Sequence, residues 1–197
     1  MKVGLYFGSF NPIHAGHLII ANHMVNFSDI DEVWLVVSPQ NPFKKKSNLA
    51  DGYDRLHLAE LAIGDNPRIR TSNIEFNLPL PSYTIDTLTY LQERHPDIQF
   101  SLIMGSDNMP SFHKWKNYEM ILEHYEIFVY QRPGNISDLY KDYENIQYLD
   151  APLLEISSSF IRKLIKEGKS IRYLVAEKVY AYLKNNNMYG SESQGGH

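Results

Sequence analysis

The chain has no cysteine among its 197 residues. That excludes disulfides, thiolate metal sites and a thiol nucleophile. It lacks a strong excess of either charge: 19 Lys and Arg against 23 Asp and Glu give a formal net charge of −4. Without a general basic footprint, nucleic acid is not the default partner, although a small basic patch inside a cleft stays allowed. No apolar run approaches the roughly 20 residues of a membrane span. The opening Met1 to Phe7 is too short for a signal-peptide core. No membrane association and a cytoplasmic location are therefore expected. What the chain has in quantity is core material, 43 % hydrophobic and 13 % aromatic residues, enough for one globular domain.

Apolar runs and amphipathic stretches alternate along it. Strands are expected at Lys2 to Phe7, Val33 to Val37, Ile69 to Phe76, Phe100 to Met104 and Glu126 to Tyr130. Helices are expected around Leu18 to Val25, Tyr53 to Ile63, Ser82 to Glu93, Asn117 to Glu123, Ser157 to Glu167 and Tyr173 to Asn185. Ser38 to Gly52 reads as a loop, and Arg132 to Asp150 as an irregular acidic stretch. The alternation predicts an α/β single-domain fold, a doubly wound parallel sheet. Residues 190–197 lack apolar side chains and are expected to form a disordered tail.

Three strand-to-helix switches carry unusual polar residues, and ligands of open parallel sheets bind beyond the carboxyl ends of the strands. At the first, Gly8 and Ser9 allow close backbone approach to a phosphate. His14 and His17 then supply imidazole donors at a helix start, where unpaired N–H groups and the dipole favour an anion. At the last, the hydroxyls of Ser157, Ser158 and Ser159 begin a helix, and Arg162 one turn on can add a planar two-pronged donor. Between them, Gly105-Ser106-Asp107 follows a buried run, where Asp107 could accept hydrogen bonds from a ligand or cap the next helix. The three lysines 44 to 46 in the loop after the second strand form a charge run of the kind that is usually solvated, and they could also meet an anion beyond that strand. The other histidines form no ligand-spaced cluster, so no protein-bound metal is expected.

Gly8 to His17 resembles the G-x-F-x-P-x-H-x-G-H signature of the nucleotidyltransferase superfamily, and Ile156 to Arg162 resembles its I-S-S-T-x-I-R motif, with Ser159 in place of threonine. Pro81 to Leu88 resembles the P-S-Y-T-x-x-T-L segment of the nicotinate-mononucleotide adenylyltransferases. Phe112 to Tyr118 and Arg132-Pro133-Gly134 match further segments of that family. The loop usually reading P-P-H-K there reads Pro42-Phe43-Lys44-Lys45, which puts a lysine where a histidine is usual.

The resemblance covers residues 2–189 and implies a Rossmann-like nucleotidyltransferase domain over 1–189. It implies adenylyl transfer from ATP to nicotinate mononucleotide, giving deamido-NAD and pyrophosphate, with Mg²⁺ held mainly by ATP. His14 and His17 would be catalytic. Gly8, Ser9, Phe10, Lys44, Lys45, Gly105, Asp107, Ser157, Ser158, Ser159 and Arg162 would bind ATP. Ser82, Tyr83, Thr84, Trp115 and Arg132 would bind the mononucleotide, with Trp115 offering its face to the pyridine ring or serving core packing. Which of Lys44 and Lys45 takes the phosphate, and whether Arg132 touches nucleotide or anchors its turn, stay open. So do a homo-oligomeric state, an acceptor bearing nicotinamide or another group, and a nucleotide-binding sensor without turnover.

Overall fold

The computed structural model describes residues 1–39, 49–131, 139–152 and 154–190. Strands β1 (Lys2–Gly8), β2 (Glu32–Val37), β3 (Ile69–Ser72), β4 (Gln99–Gly105), β5 (Glu126–Tyr130) and β6 (Ile146–Leu149) form one sheet in the order β3-β2-β1-β4-β5-β6. Every pairing is parallel. The chain winds outward from β1 in one direction and then from β4 in the other. The β1/β4 boundary is thus the topological switch point, where ligands of such sheets bind. Gly8 and Gly105, the last residues of those neighbouring strands, lie at its rim.

The two sides of each strand feed different cores, as the twofold side-chain period requires. Tyr6, Leu35, Ile103 and Phe128 pack with α1 (Ala15–Phe27), α2 (Gly52–Ile63), α5 (Ser158–Lys166) and α6 (Glu177–Asn185) on one face. Leu5, Val36, Leu102 and Ile127 pack with α3 (Thr84–Arg94) and α4 (Tyr118–His124) on the other. A sheet buried on both faces explains why its central strands read as continuous apolar runs. Gly4 has a packing reason: a Cβ there would lie 2.6 Å from Ile103 Cδ1.

Three expectations need correction. β6 lies inside the stretch read as irregular; it has only four residues and pairs along one edge with β5. The third strand stops at Ser72, and Ile74–Asn77 turns as a 3₁₀ helix that carries Glu75 inward. The last helix starts at Glu177 rather than Tyr173, which stands at φ +70°. The residues before that helix serve another contact, the Leu174 carbonyl accepting from Ala15 N–H at 2.9 Å.

Candidate functional site

The turn after β1 is tightly specified. A Cβ on Gly8 would meet the buried Phe10 ring at 2.7 Å. Phe10 itself sits at φ +42°, a region that costs a non-glycine residue energy unless its surroundings hold it. The Asn11–Pro12 bond is cis, and His14 then caps α1. His17 lies three residues further on, and its Nδ1 accepts from the His14 backbone N–H at 3.2 Å. An accepting Nδ1 carries no proton, so the neutral His17 ring bears its proton on Nε2 and can donate from there.

The His14 and His17 rings stack, with centroids 3.7 Å apart and planes 27° from parallel. The Phe10 ring meets His17 edge-on at 5.0 Å. His14 is buried and His17 half-buried, so the pair has one inner and one outer member. Gly16 gives the His14 ring room: a Cβ there would come 3.1 Å from His14 Nδ1, a tight contact. The first turn of α1 holds no acidic residue, which suits an anion. Its first N–H is not available, however, because Ala15 donates to Leu174.

The start of α5 is bolted to the same turn. Ser158 Oγ donates to the Pro12 carbonyl at 2.9 Å, and Arg162 Nη1 donates to the Asn11 carbonyl at 2.7 Å. Ser157 caps α5 by accepting from Phe160 N–H at 3.1 Å, and Ser159 Oγ accepts from Arg162 Nη2 at 3.2 Å. The hydroxyl protons of Ser157 and Ser159 can still turn toward an anion, whereas the Ser158 proton ties α5 to the turn. The two sequence motifs, almost 150 residues apart, thus form one surface.

Beyond β4 the chain enters a 3₁₀ run, Ser106–Lys114, with Met109 and Phe112 buried and Asp107 exposed at the sheet's carboxyl rim. The run delivers Trp115, which packs edge-on against Phe112 at 5.4 Å and remains part-exposed. Lys116 then crosses to α3, its Nζ 2.8 Å from Asp86 and 4.8 Å from the Tyr83 ring centroid. The Trp115 segment and the Ser82-Tyr83-Thr84 segment are therefore neighbours. Tyr83 occupies the N-cap of α3 without a side-chain cap hydrogen bond. Tyr83 and Thr84 are part-exposed, while Ser82 is buried.

Ser82 turns toward Glu75, a carboxyl only 3 % exposed that accepts from Thr87 Oγ1 at 3.0 Å. Burial pushes the Glu75 carboxyl above its ordinary range, against hydrogen bonding from Ser38, Thr87 and Ser82. The folded chain consequently binds this proton more tightly than the unfolded chain, and stability falls as pH rises above the ordinary value of 4.5. Glu75→Gln is expected to lessen that fall. Its denaturant midpoint should exceed that of the parent at pH 7, with the difference shrinking toward pH 4. Equal midpoints at both pH values would contradict the buried-carboxyl assignment.

A sequence profile described as Cytidylyltransferase-like matches residues 5–164. A Flavobacterium johnsoniae protein named "Probable nicotinate-nucleotide adenylyltransferase" is 54 % identical over 193 residues, covering 96 % of this chain and 99 % of that protein. A protein of the same name from Cytophaga hutchinsonii is 51 % identical over 191 residues, covering 97 % and 100 %. The chain belongs to the nicotinate-nucleotide adenylyltransferase family. The fold agrees: Plasmodium falciparum nicotinic acid mononucleotide adenylyltransferase complexed with NaAD superposes with a TM-score of 0.82 at 22 % identity, covering 95 % of this chain and 97 % of that one.

The family resemblance read from the motifs and the doubly wound fold are both borne out. Lys44, Lys45 and Arg132, and the tail from residue 191, lie outside the described residues. Among the described residues, no three His, Asp or Glu side chains converge as a metal site, and no helix is long and apolar enough to cross a membrane. Three contributors escaped the sequence reading. Lys116 joins the Trp115 and Ser82–Thr84 segments, Tyr189 donates to Asn11 Oδ1 at 2.6 Å, and Arg55 reaches the Ser9 carbonyl from α2. An arginine inside an amphipathic helix carries no pattern to mark it as buried.

Proposed function

We propose that the chain transfers the adenylyl group of ATP to nicotinate mononucleotide, releasing pyrophosphate and forming deamido-NAD. The observation that carries the reading is the stacked His14–His17 pair at the β1/β4 switch point, its turn tied to the start of α5 by Ser158 and Arg162. The family membership supports the same chemistry.

A 5′-phosphate oxygen of the mononucleotide attacks the α-phosphorus of ATP in line. The new O–P bond forms as the bond from that phosphorus to the α,β-bridging oxygen breaks, and pyrophosphate leaves with the electron pair. No side chain becomes covalently attached, so the protein contributes positioning and charge stabilisation. His17 donates from Nε2 to an α-phosphoryl oxygen, and His14 fixes the ring that does so. Gly8, Ser9 and Phe10 supply the close backbone, while Ser157, Ser159 and Arg162 take the outer phosphates, as do Lys44 or Lys45. Gly105 and Asp107 serve the adenosine ribose. Mg²⁺ enters as the ATP complex, with phosphate oxygens as its ligands.

Tyr83, Thr84 and Trp115, backed by Ser82 and joined by Arg132, form the acceptor side. The aromatic face suits a pyridine ring, and the uncapped start of α3 suits its carboxylate. The test offers ATP with nicotinate mononucleotide, nicotinamide mononucleotide or phosphopantetheine, and follows both pyrophosphate and the second product. Deamido-NAD should form fastest. Faster turnover of another acceptor would overturn the acceptor assignment, and ATP binding without pyrophosphate release from any would overturn the enzymatic reading.

A further inference from the structure

Arg55 is among the largest fully buried side chains of the protein, at 1 % exposure. Burying a guanidinium is expensive unless it is paired or fully hydrogen-bonded. Among the described residues no ion pair involves it, and its partners are backbone carbonyls. Nη1 donates to Ser9 O at 2.6 Å and to Ser38 O at 2.8 Å, Nη2 to Pro39 O at 3.2 Å, and Nε to Ala50 O at 2.9 Å. Burial lowers the affinity of the group for its proton, opposed by the nearby Tyr189 and Asp51, yet a guanidinium remains charged in proteins. A planar fork with five N–H donors is the one side chain that can serve all these acceptors at once.

The acceptors share a location. Ser9 lies in the phosphate turn, Ser38 and Pro39 follow β2, and Ala50 precedes α2. Ser38 N–H in turn donates to Gly8 O at 2.9 Å, and Ala50 N–H donates to Asn11 Oδ1 at 3.2 Å. All the segments that Arg55 joins therefore meet at Gly8 to Asn11, the turn that contains Phe10 at φ +42°. Such a conformation persists only where the surroundings over-determine it. Asn11 and Pro12 are held from the α5 side, while the Ser9 carbonyl is held by Arg55.

We propose that Arg55 is a positioning residue for ATP, acting through the Ser9 carbonyl to hold the Gly8–Phe10 backbone in its phosphate-binding conformation. The proposal rests on the adenylyl-transfer reading above. Arg55 is buried and spends its donors on backbone carbonyls, so it acts through the turn; its effect is expected on the nucleotide side of the reaction and not on the acceptor side, whose residues come from α3 and the segment after β4.

The test uses the full chain with Arg55→Lys, which keeps the charge but not the fork, and Arg55→Ala. Leu58→Ala, in the same helix and also fully buried, serves as a control that loosens α2 while leaving the Arg55 side chain and its carbonyl acceptors unchanged. Each is assayed well below its unfolding temperature, with kcat and KM obtained separately for ATP and mononucleotide. Binding of a non-hydrolysable ATP analogue is followed by calorimetry. Arg55→Lys should lower kcat/KM for ATP and weaken analogue binding, each by about tenfold or more, a loss typical of a small misplacement. KM for the mononucleotide should stay within about twofold. Guanidinium ion at non-denaturing concentration should restore part of the ATP affinity of Arg55→Ala and none of any loss in Leu58→Ala.

Unchanged ATP parameters in folded Arg55→Lys, equal KM shifts for both substrates, or no difference from Leu58→Ala would overturn the proposal. If Arg55→Ala does not fold, Arg55→Lys alone decides. Should the parent chain form no dinucleotide, the functional reading fails, and the calorimetry still judges Arg55.

Discussion

His17→Ala is expected to lower kcat by about 10²-fold or more while KM for ATP changes far less, the pattern of a donor that acts mainly in the transition state. That loss corresponds to roughly 2.7 kcal/mol of barrier. His17 also has a structural duty, since its Nδ1 satisfies the His14 N–H at the start of α1. A lost cap contact costs about 1 kcal/mol of stability. The two effects appear in different measurements, the first in pyrophosphate release under saturating substrates and the second in the melting temperature. His17→Asn separates them further, because a side-chain amide can still accept from the His14 N–H while its shorter reach withdraws the donor from the phosphoryl group. Both variants should therefore be slow, and the asparagine variant should melt closer to the parent. Near-normal turnover in the alanine variant would remove His17 from the reaction.

The inward half of the site was legible because its residues obey local rules. A strand ending in Gly8-Ser9, imidazoles at the cap and third helical positions, and serines beginning a helix each announce a geometry within a few residues. The packing duty of the glycines was not legible: Gly8, expected to allow close approach of a phosphate, leaves room for the Phe10 ring, and Gly16 leaves room for His14. What remained hidden depends on contacts between distant segments. Arg55 reads as a surface position of an amphipathic helix until the carbonyls of Ser9, Ser38, Pro39 and Ala50 are brought around it. Tyr189 reads only as the last residue of the expected domain until it closes on Asn11. Strand β6 was missed because four residues beside acidic neighbours carry too little pattern, and only pairing with β5 makes them a strand. Glu75, placed in a strand by its β-like neighbours, was turned inward by a 3₁₀ helix that no alternation of apolar and polar residues foretells.

Arg162→Ala is expected to be the second severe lesion, and its severity comes from two losses in one residue. The guanidinium donates to the Asn11 carbonyl at 2.7 Å and to Ser159 Oγ at 3.2 Å, so it braces the turn after β1 from the α5 side. Those two bonds occupy Nη1 and Nη2 once each, and a guanidinium has five N–H groups, so further donors remain for a phosphate oxygen. Alanine removes the brace and the charge together, and kcat/KM for ATP should fall by about 10²-fold. Arg162→Lys keeps the charge as a point donor that cannot serve carbonyl and phosphate in one plane. If electrostatic attraction dominates, lysine should recover most of the loss, and the remaining activity should decline steeply with salt. If the brace dominates, lysine should recover little, and the defect should resemble that of Arg55→Lys on the opposite side of the turn. The geometry favours the second outcome, because the shortest hydrogen bond made by Arg162 is to the Asn11 backbone carbonyl. A parent-like kcat/KM for ATP in both variants would show that α5 supports the turn without entering the reaction.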